Sequence, residues 1–259
     1  MGESCPPQDQ HDDDLRCVHV TGAPLATQLL VGGRPEVTVR LDTAVPRLVV
    51  RLCAVDRTGR STLLSWGVLR PEPEARDHRI VLSPVHVRLP AGVRLRVTVG
   101  DADFPRLTPL ADPVAFTVLD LALVLPVVLD DVAGRPAALL PPPLRPAARP
   151  APVEWTITRD PAGGRAEVTV TSDTGSVTSR DGHRYRVHGR LSATAHRGAP
   201  AAARGCADYT GEVWLSTGEH VTVTVSVRCT QDAVFAHGRV SINGYVVSDR
   251  RWEAPLQRE

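Results

Sequence analysis

Gly59-Arg60-Ser61 is the nearest this sequence comes to a catalytic nucleophile. In an α/β-hydrolase the reactive serine sits between glycines on a sharp strand-to-helix turn, which exposes its hydroxyl. Here Leu63 stands where the second glycine belongs, Ser61 opens a strand-like stretch, and no GxSxG occurs. Nine histidines offer candidate bases or ligands. His183 and His188 follow Asp181, but their spacing puts them on opposite faces of a regular strand, which is wrong for sharing a metal. His78 and His86 flank a strand with no carboxylate and serine beside them to activate. Asp101 and Asp103 supply two side-chain carboxylates where calcium wants about six to eight oxygen ligands, so this pair reads as a turn that positions Phe104 and Pro105. No catalytic, cofactor-binding or metal-ligating residue is assigned, and no cofactor is expected.

The five cysteines, at 5, 17, 53, 206 and 229, form an odd, sparse set without CxxC spacing, which argues against a disulfide framework and a zinc knuckle. A two-residue turn at Thr217-Gly218 would set residues whose numbers sum to 435 opposite one another, making Cys206 and Cys229 a candidate cross-strand thiol pair. Two reduced thiols packed as small hydrophobes are the alternative.

These residues must be held by β structure. Val221, Val223, Val225 and Val227 alternate with Thr222, Thr224 and Ser226, and Val93, Leu95, Val97 and Val99 alternate with Arg94, Arg96 and Thr98. This period of two, with β-branched residues, is that of half-buried strands, and the fold class is all-β. Strands are expected at Leu25–Val31, Glu36–Leu41, Leu48–Val55, Ser61–Leu69, Arg79–Leu82, Val93–Val99 and Ala115–Val124, with turns spaced as in a jelly-roll sandwich. The segment GRPAALLPPPLRPAARPAP removes amide donors repeatedly and marks a linker. After it, Glu154–Arg159, Arg165–Ser172, Tyr185–Thr194, Cys206–Leu215, His220–Cys229, Val234–Ile242 and Tyr245–Trp252 read as an antiparallel meander, closed by an Asn243-Gly244 hairpin turn. The expected organisation is a disordered tail over 1–14, a jelly roll over 15–133, a proline-rich linker over 134–152 and a β-meander over 153–259.

Composition excludes several classes of function. The hydrophobic fraction is 42% and the charged fraction 23%, as in an ordinary globular protein. A net charge of +1, with arginines scattered, gives no field for nucleic acid, and no stretch approaches the roughly 18 apolar residues of a membrane span. The sequence MGESCPPQDQHDDD lacks the basic and apolar regions of a secretory signal, so a cytoplasmic location is expected, with neither nucleic acid nor membrane as partner.

The stretch LVVRLCAVDRTGRSTLLSWGVLR, residues 48–70, resembles a hairpin in the C-terminal jelly roll of CocE/NonD hydrolases and X-Pro dipeptidyl-peptidases. HRIVLSPVHVRLPAGVRLRVTVGDADFPRL, residues 78–107, is similar to the same family's stretch leading into an aspartate-phenylalanine-proline corner, here Asp103-Phe104-Pro105. VTGAPLATQLLV, residues 20–31, resembles the start of that jelly roll. WTITRDPAGGRAEVTV, SATAHRGAPAAARG and RRWEAPLQR are similar, more loosely, to the β extension of longer members.

The resemblance implies a galactose-binding-like β-sandwich that is non-catalytic by itself, because the family cuts esters or amides with a Ser-His-Asp triad on a separate α/β-hydrolase domain. It implies an accessory to, or remnant of, such a hydrolase. The expected partner is an α/β-hydrolase domain or subunit, or a second copy, met through Trp66, Asp103, Phe104, Pro105 and Arg106. A stand-alone ligand- or carbohydrate-binding module, or a β-barrel pocket used for small-molecule chemistry, remains the alternative.

Overall fold

The computed structural model describes residues 9–128 and 153–256. The proline-rich linker over 134–152 lies outside them, as does Cys5. The described residues divide into two compact units, one holding 9–103 and 112–128, the other holding Phe104–Ala111 together with 153–256.

In the first unit a short helix α1 (His11–Asp14) precedes β1 (Val18–Pro24), β2 (Leu29–Gly33), β3 (Glu36–Leu41), β4 (Leu48–Val55), β5 (Ser61–Leu69), β6 (Asp77–Val81), β7 (Val85–Leu89), β8 (Arg94–Gly100) and β9 (Val118–Val124). A four-stranded sheet runs β1-β8-β4-β5, a three-stranded sheet runs β6-β3-β9, and β2 pairs with β7. Because β8 lies between β1 and β4, strands distant in sequence are neighbours, as in a jelly-roll sandwich. Alternate residues of β3 (Val37, Val39, Leu41), β4 (Leu48, Val50, Leu52) and β8 (Val97, Val99) join Ile80 and Leu82 in one buried core. Burying each of these side chains contributes about 1.5–3 kcal/mol, offset by the entropy of ordering the chain.

Expected β3, β4 and β5 are found with the bounds read from alternation. Of the strand expected at Leu25–Val31 only Leu29–Val31 is strand, as the start of β2, and β1 and β7 fall outside the expected strands. The N-terminal expectation also needs correction. Residues 9–14 are ordered rather than a loose tail: the Gln10 amide donates to the Ser61 carbonyl at 2.7 Å, the Ser61 amide donates to Asp9 Oδ1 at 3.0 Å, and Gln10 and Asp14 are buried. The polar composition of this segment concealed its burial, because its partners lie on strands far along the sequence.

The second unit is one antiparallel sheet. Strands β10 (Glu154–Asp160), β11 (Arg165–Asp173), β13 (Arg184–His196), β14 (Arg204–Trp214), β15 (His220–Cys229), β16 (Ala233–Ile242) and β17 (Tyr245–Pro255) follow one another in space, with the short β12 (Val177–Thr178) beside β13. The register gives the sheet two unlike faces. Val168, Val170, Leu191, Val213, Val221, Val223, Val227 and Val240 share one, while Thr171, Arg190, Asp208, Thr224, Ser226 and His237 share the other. Asn243 and Gly244, at φ 49° and 83°, form the two-residue turn that pairs Ile242 with Tyr245.

Register corrects the expected thiol pair. Leu215 and Glu219 close a three-residue loop, Ser216–Gly218, with Gly218 at φ 101°. The extra loop residue shifts the pairing by one, so Cys206 lies opposite Arg228 and Cys229 opposite Gly205. A slip of one residue turns a side chain to the other face. Cys206 and Cys229 therefore point to opposite sides of the sheet, and both are free.

Candidate functional site

The outer face of the four-stranded sheet is polar and sealed. On β4 and β8, Val50, Leu52, Val97 and Val99 face the core, so Arg51 and Cys53, with their partners Thr98 and Arg96, point the other way. That side would be solvated in an open sheet. Here Arg51 is 7% and Arg96 8% exposed, because the segment bearing Asp14, itself 0% exposed, packs over them.

Asp14 gathers donors from three strands. Ser61 Oγ donates to its Oδ2 at 2.5 Å, Arg96 Nη1 donates to the same oxygen at 3.3 Å, and Arg51 Nη2 lies 3.5 Å from Oδ1. Arg51 Nε donates to Thr98 Oγ1 at 3.2 Å, and Arg96 Nε to Thr21 Oγ1 at 2.9 Å. A buried carboxylate is tolerated only when paired and hydrogen-bonded, and Asp14 meets both conditions. Burial pushes the Cys53 thiol up to about 12 and raises that of Cys17, so both stay protonated.

This cluster links two of the residues singled out in the sequence. Arg51 is the cross-strand partner of Trp66, and its Nη1 lies 3.9 Å from Asp103 Oδ1. Asp103 is buried, and the Asp101 carbonyl beside it accepts from Arg47 Nε at 2.8 Å. Phe104, Pro105 and Arg106 follow, half-buried, in the segment that belongs to the second unit. Within that unit Gln231 Nε2 donates to the Pro109 carbonyl at 2.8 Å. The structure thus sets Trp66 opposite Arg51 on the neighbouring strand and Asp103 beside the Arg51 guanidinium. Sequence reasoning missed Asp14, Arg51 and Arg96, whose only signal was two arginines on the outward positions of otherwise apolar strands.

The arrangement is structural rather than reactive. Ser61 is fully buried, its hydroxyl is committed to Asp14, and two guanidiniums compensate that carboxylate. A nucleophile needs a base that takes its proton and room for a substrate; the Ser61 hydroxyl donates to a carboxylate, not to an imidazole. His78 is buried, which pushes its pKa down, and its neighbour on β3 is Val39. Among the described residues no group of three or more His, Cys, Asp or Glu is placed to bind a metal. Nor is any described helix long and apolar enough to cross a membrane.

Two solved structures were similar in part: an aminopeptidase from a marine sediment archaeon, Thaumarchaeota archaeon, at 22% identity and TM-score 0.34 over 38% of this chain, and an α-amino acid ester hydrolase at 18% identity and TM-score 0.41 over 47% of it. The chain spans 20% and 27% of the length of those two proteins. No curated protein matches it. Residues 6–119 match the X-Pro dipeptidyl-peptidase C-terminal non-catalytic domain, and it is this domain that the first part of the chain carries.

Proposed function

We propose that this chain is a non-catalytic β region of a CocE-type or X-Pro dipeptidyl-peptidase-like serine hydrolase and works as an accessory to an α/β-hydrolase catalytic domain. The observation that carries the reading is the match of residues 6–119 to a domain described as non-catalytic. The burial of Ser61, whose hydroxyl is committed to Asp14, supports it.

In this reading Trp66, Asp103, Phe104, Pro105 and Arg106 meet the catalytic domain, and the buried Arg51 fixes the corner from which they project. A tagged chain purified from its own host and treated with a fluorophosphonate probe tests this. A labelled serine hydrolase is expected to accompany the wild-type chain and to be lost with Arg106→Glu. Purification without any fluorophosphonate-reactive protein, with the chain alone or as a dimer, overturns the reading.

A further inference from the structure

Apolar residues on the polar face of the second unit include Trp214, Val246 and Phe235, and the last stands among charged neighbours. On β16, Val234, Ala236, Val240 and Ile242 take the apolar side and His237, Arg239 and Ser241 the polar one, but Phe235 also falls on the polar side. It is 41% exposed. An aromatic ring held open to water among charged neighbours gains nothing for the fold, and such rings are enriched where proteins grip ligands. Phe235 lines an open cavity of ≈ 780 Å³ near the edge of the sheet, together with Arg228, His237, Arg251 and Glu253.

Register sets the chemistry of that cavity. Arg228, Phe235 and Glu253 lie in one row across β15, β16 and β17, and Ser226, His237 and Arg251 in the next. Cross-strand neighbours on one face sit with Cβ atoms about 4.5–5.5 Å apart, so Arg228 and Glu253 flank the ring directly and Arg251 stands diagonal to it. His237 is committed, its Nε2 lying 2.8 Å from Asp249 Oδ1; Arg251 also helps hold that carboxyl down, and among the described residues neither Arg228 nor Arg251 forms an ion pair within 4.0 Å of a carboxylate. An aromatic face offers stacking, and a planar guanidinium offers paired donors to a carboxylate or phosphate.

We propose that this cavity binds a small planar aromatic anion, its ring on Phe235 and its anionic group between Arg228 and Arg251. Glu253, opposite Phe235, opposes the anion and limits its affinity. Sugar binding is the weaker fit, because the two guanidiniums leave a net positive charge with no neutral ligand to answer it.

Calorimetric titration of the full chain with naphthoate, phenyl phosphate, naphthamide and cyclohexanecarboxylate tests the proposal. Naphthoate is expected to bind about tenfold more tightly than the neutral amide or the non-aromatic acid, a difference of about 1.4 kcal/mol, and phenyl phosphate distinguishes a carboxylate from a phosphate preference. Phe235→Leu and Arg251→Gln, both at exposed positions, should each weaken naphthoate by a similar factor, while Glu253→Gln should tighten it. Equal binding of naphthamide and naphthoate, or affinity unchanged in both weakening variants, overturns the proposal.

Discussion

Arg51 Nη2 stands 3.5 Å from Asp14 Oδ1 on the outer side of a sandwich sheet, with both side chains all but sealed from water. The pair ties the N-terminal segment to β4, and Arg96 ties it to β8. Removing one partner of a buried ion pair leaves a charge without compensation and costs about 3–5 kcal/mol. Asp14→Ala is therefore expected to destabilise the first unit by that amount, read from urea unfolding. Replacing Asp14, Arg51 and Arg96 together by apolar residues should cost far less.

Thiol chemistry follows from register and burial. The cysteines at 17, 53, 206 and 229 are free, so all four should react with Ellman's reagent in denaturant without prior reduction. In the native state Cys53, pushed up to about 12 by burial, should resist alkylation at pH 8, where half-buried Cys206 and Cys229 react. Mass spectrometry of the alkylated peptides measures both.

The Arg186 guanidinium bonds Asp173 at 3.1 and 2.5 Å and holds its carboxyl at about 2. A carboxyl depressed in the folded state adds stability that is present above its unfolded pKa, about 3.9, and lost as pH falls through the folded value. The pair is partly exposed, so the contribution is modest. Asp173→Asn should lower the urea midpoint at pH 7, and the gap from wild type should close as pH falls from about 4 toward 2.

At the last hairpin, Gly244 holds φ 83° and Asn243 Oδ1 accepts from the His220 amide at 2.8 Å. Gly244→Ala forces a side chain into the left-handed region and should cost about 1 kcal/mol. Thermal unfolding followed by circular dichroism checks it.

Much of this architecture was legible because alternation is a local signal. The bounds of β3, β4, β5 and β15 follow from apolar residues at every second position, and the Asn243-Gly244 turn from two residues that accept positive φ. What escaped was non-local. Nothing in LVVRLCAV reveals that Arg51 is buried, since its cover is a segment some forty residues earlier. Gly218 marked a turn but not its length, and one loop residue decided which faces Cys206 and Cys229 occupy. The side on which Phe235 falls depends on the register of β15 and β16, which no local pattern reveals.

The account stands most directly on the absence of hydrolysis by this chain. Purified to homogeneity and assayed with an X-Pro nitroanilide and a nitrophenyl ester, it should show no turnover above buffer, take up no fluorophosphonate, and be unaffected in both respects by Ser61→Ala. Turnover that persists through purification and titrates with fluorophosphonate bound to this chain would contradict it.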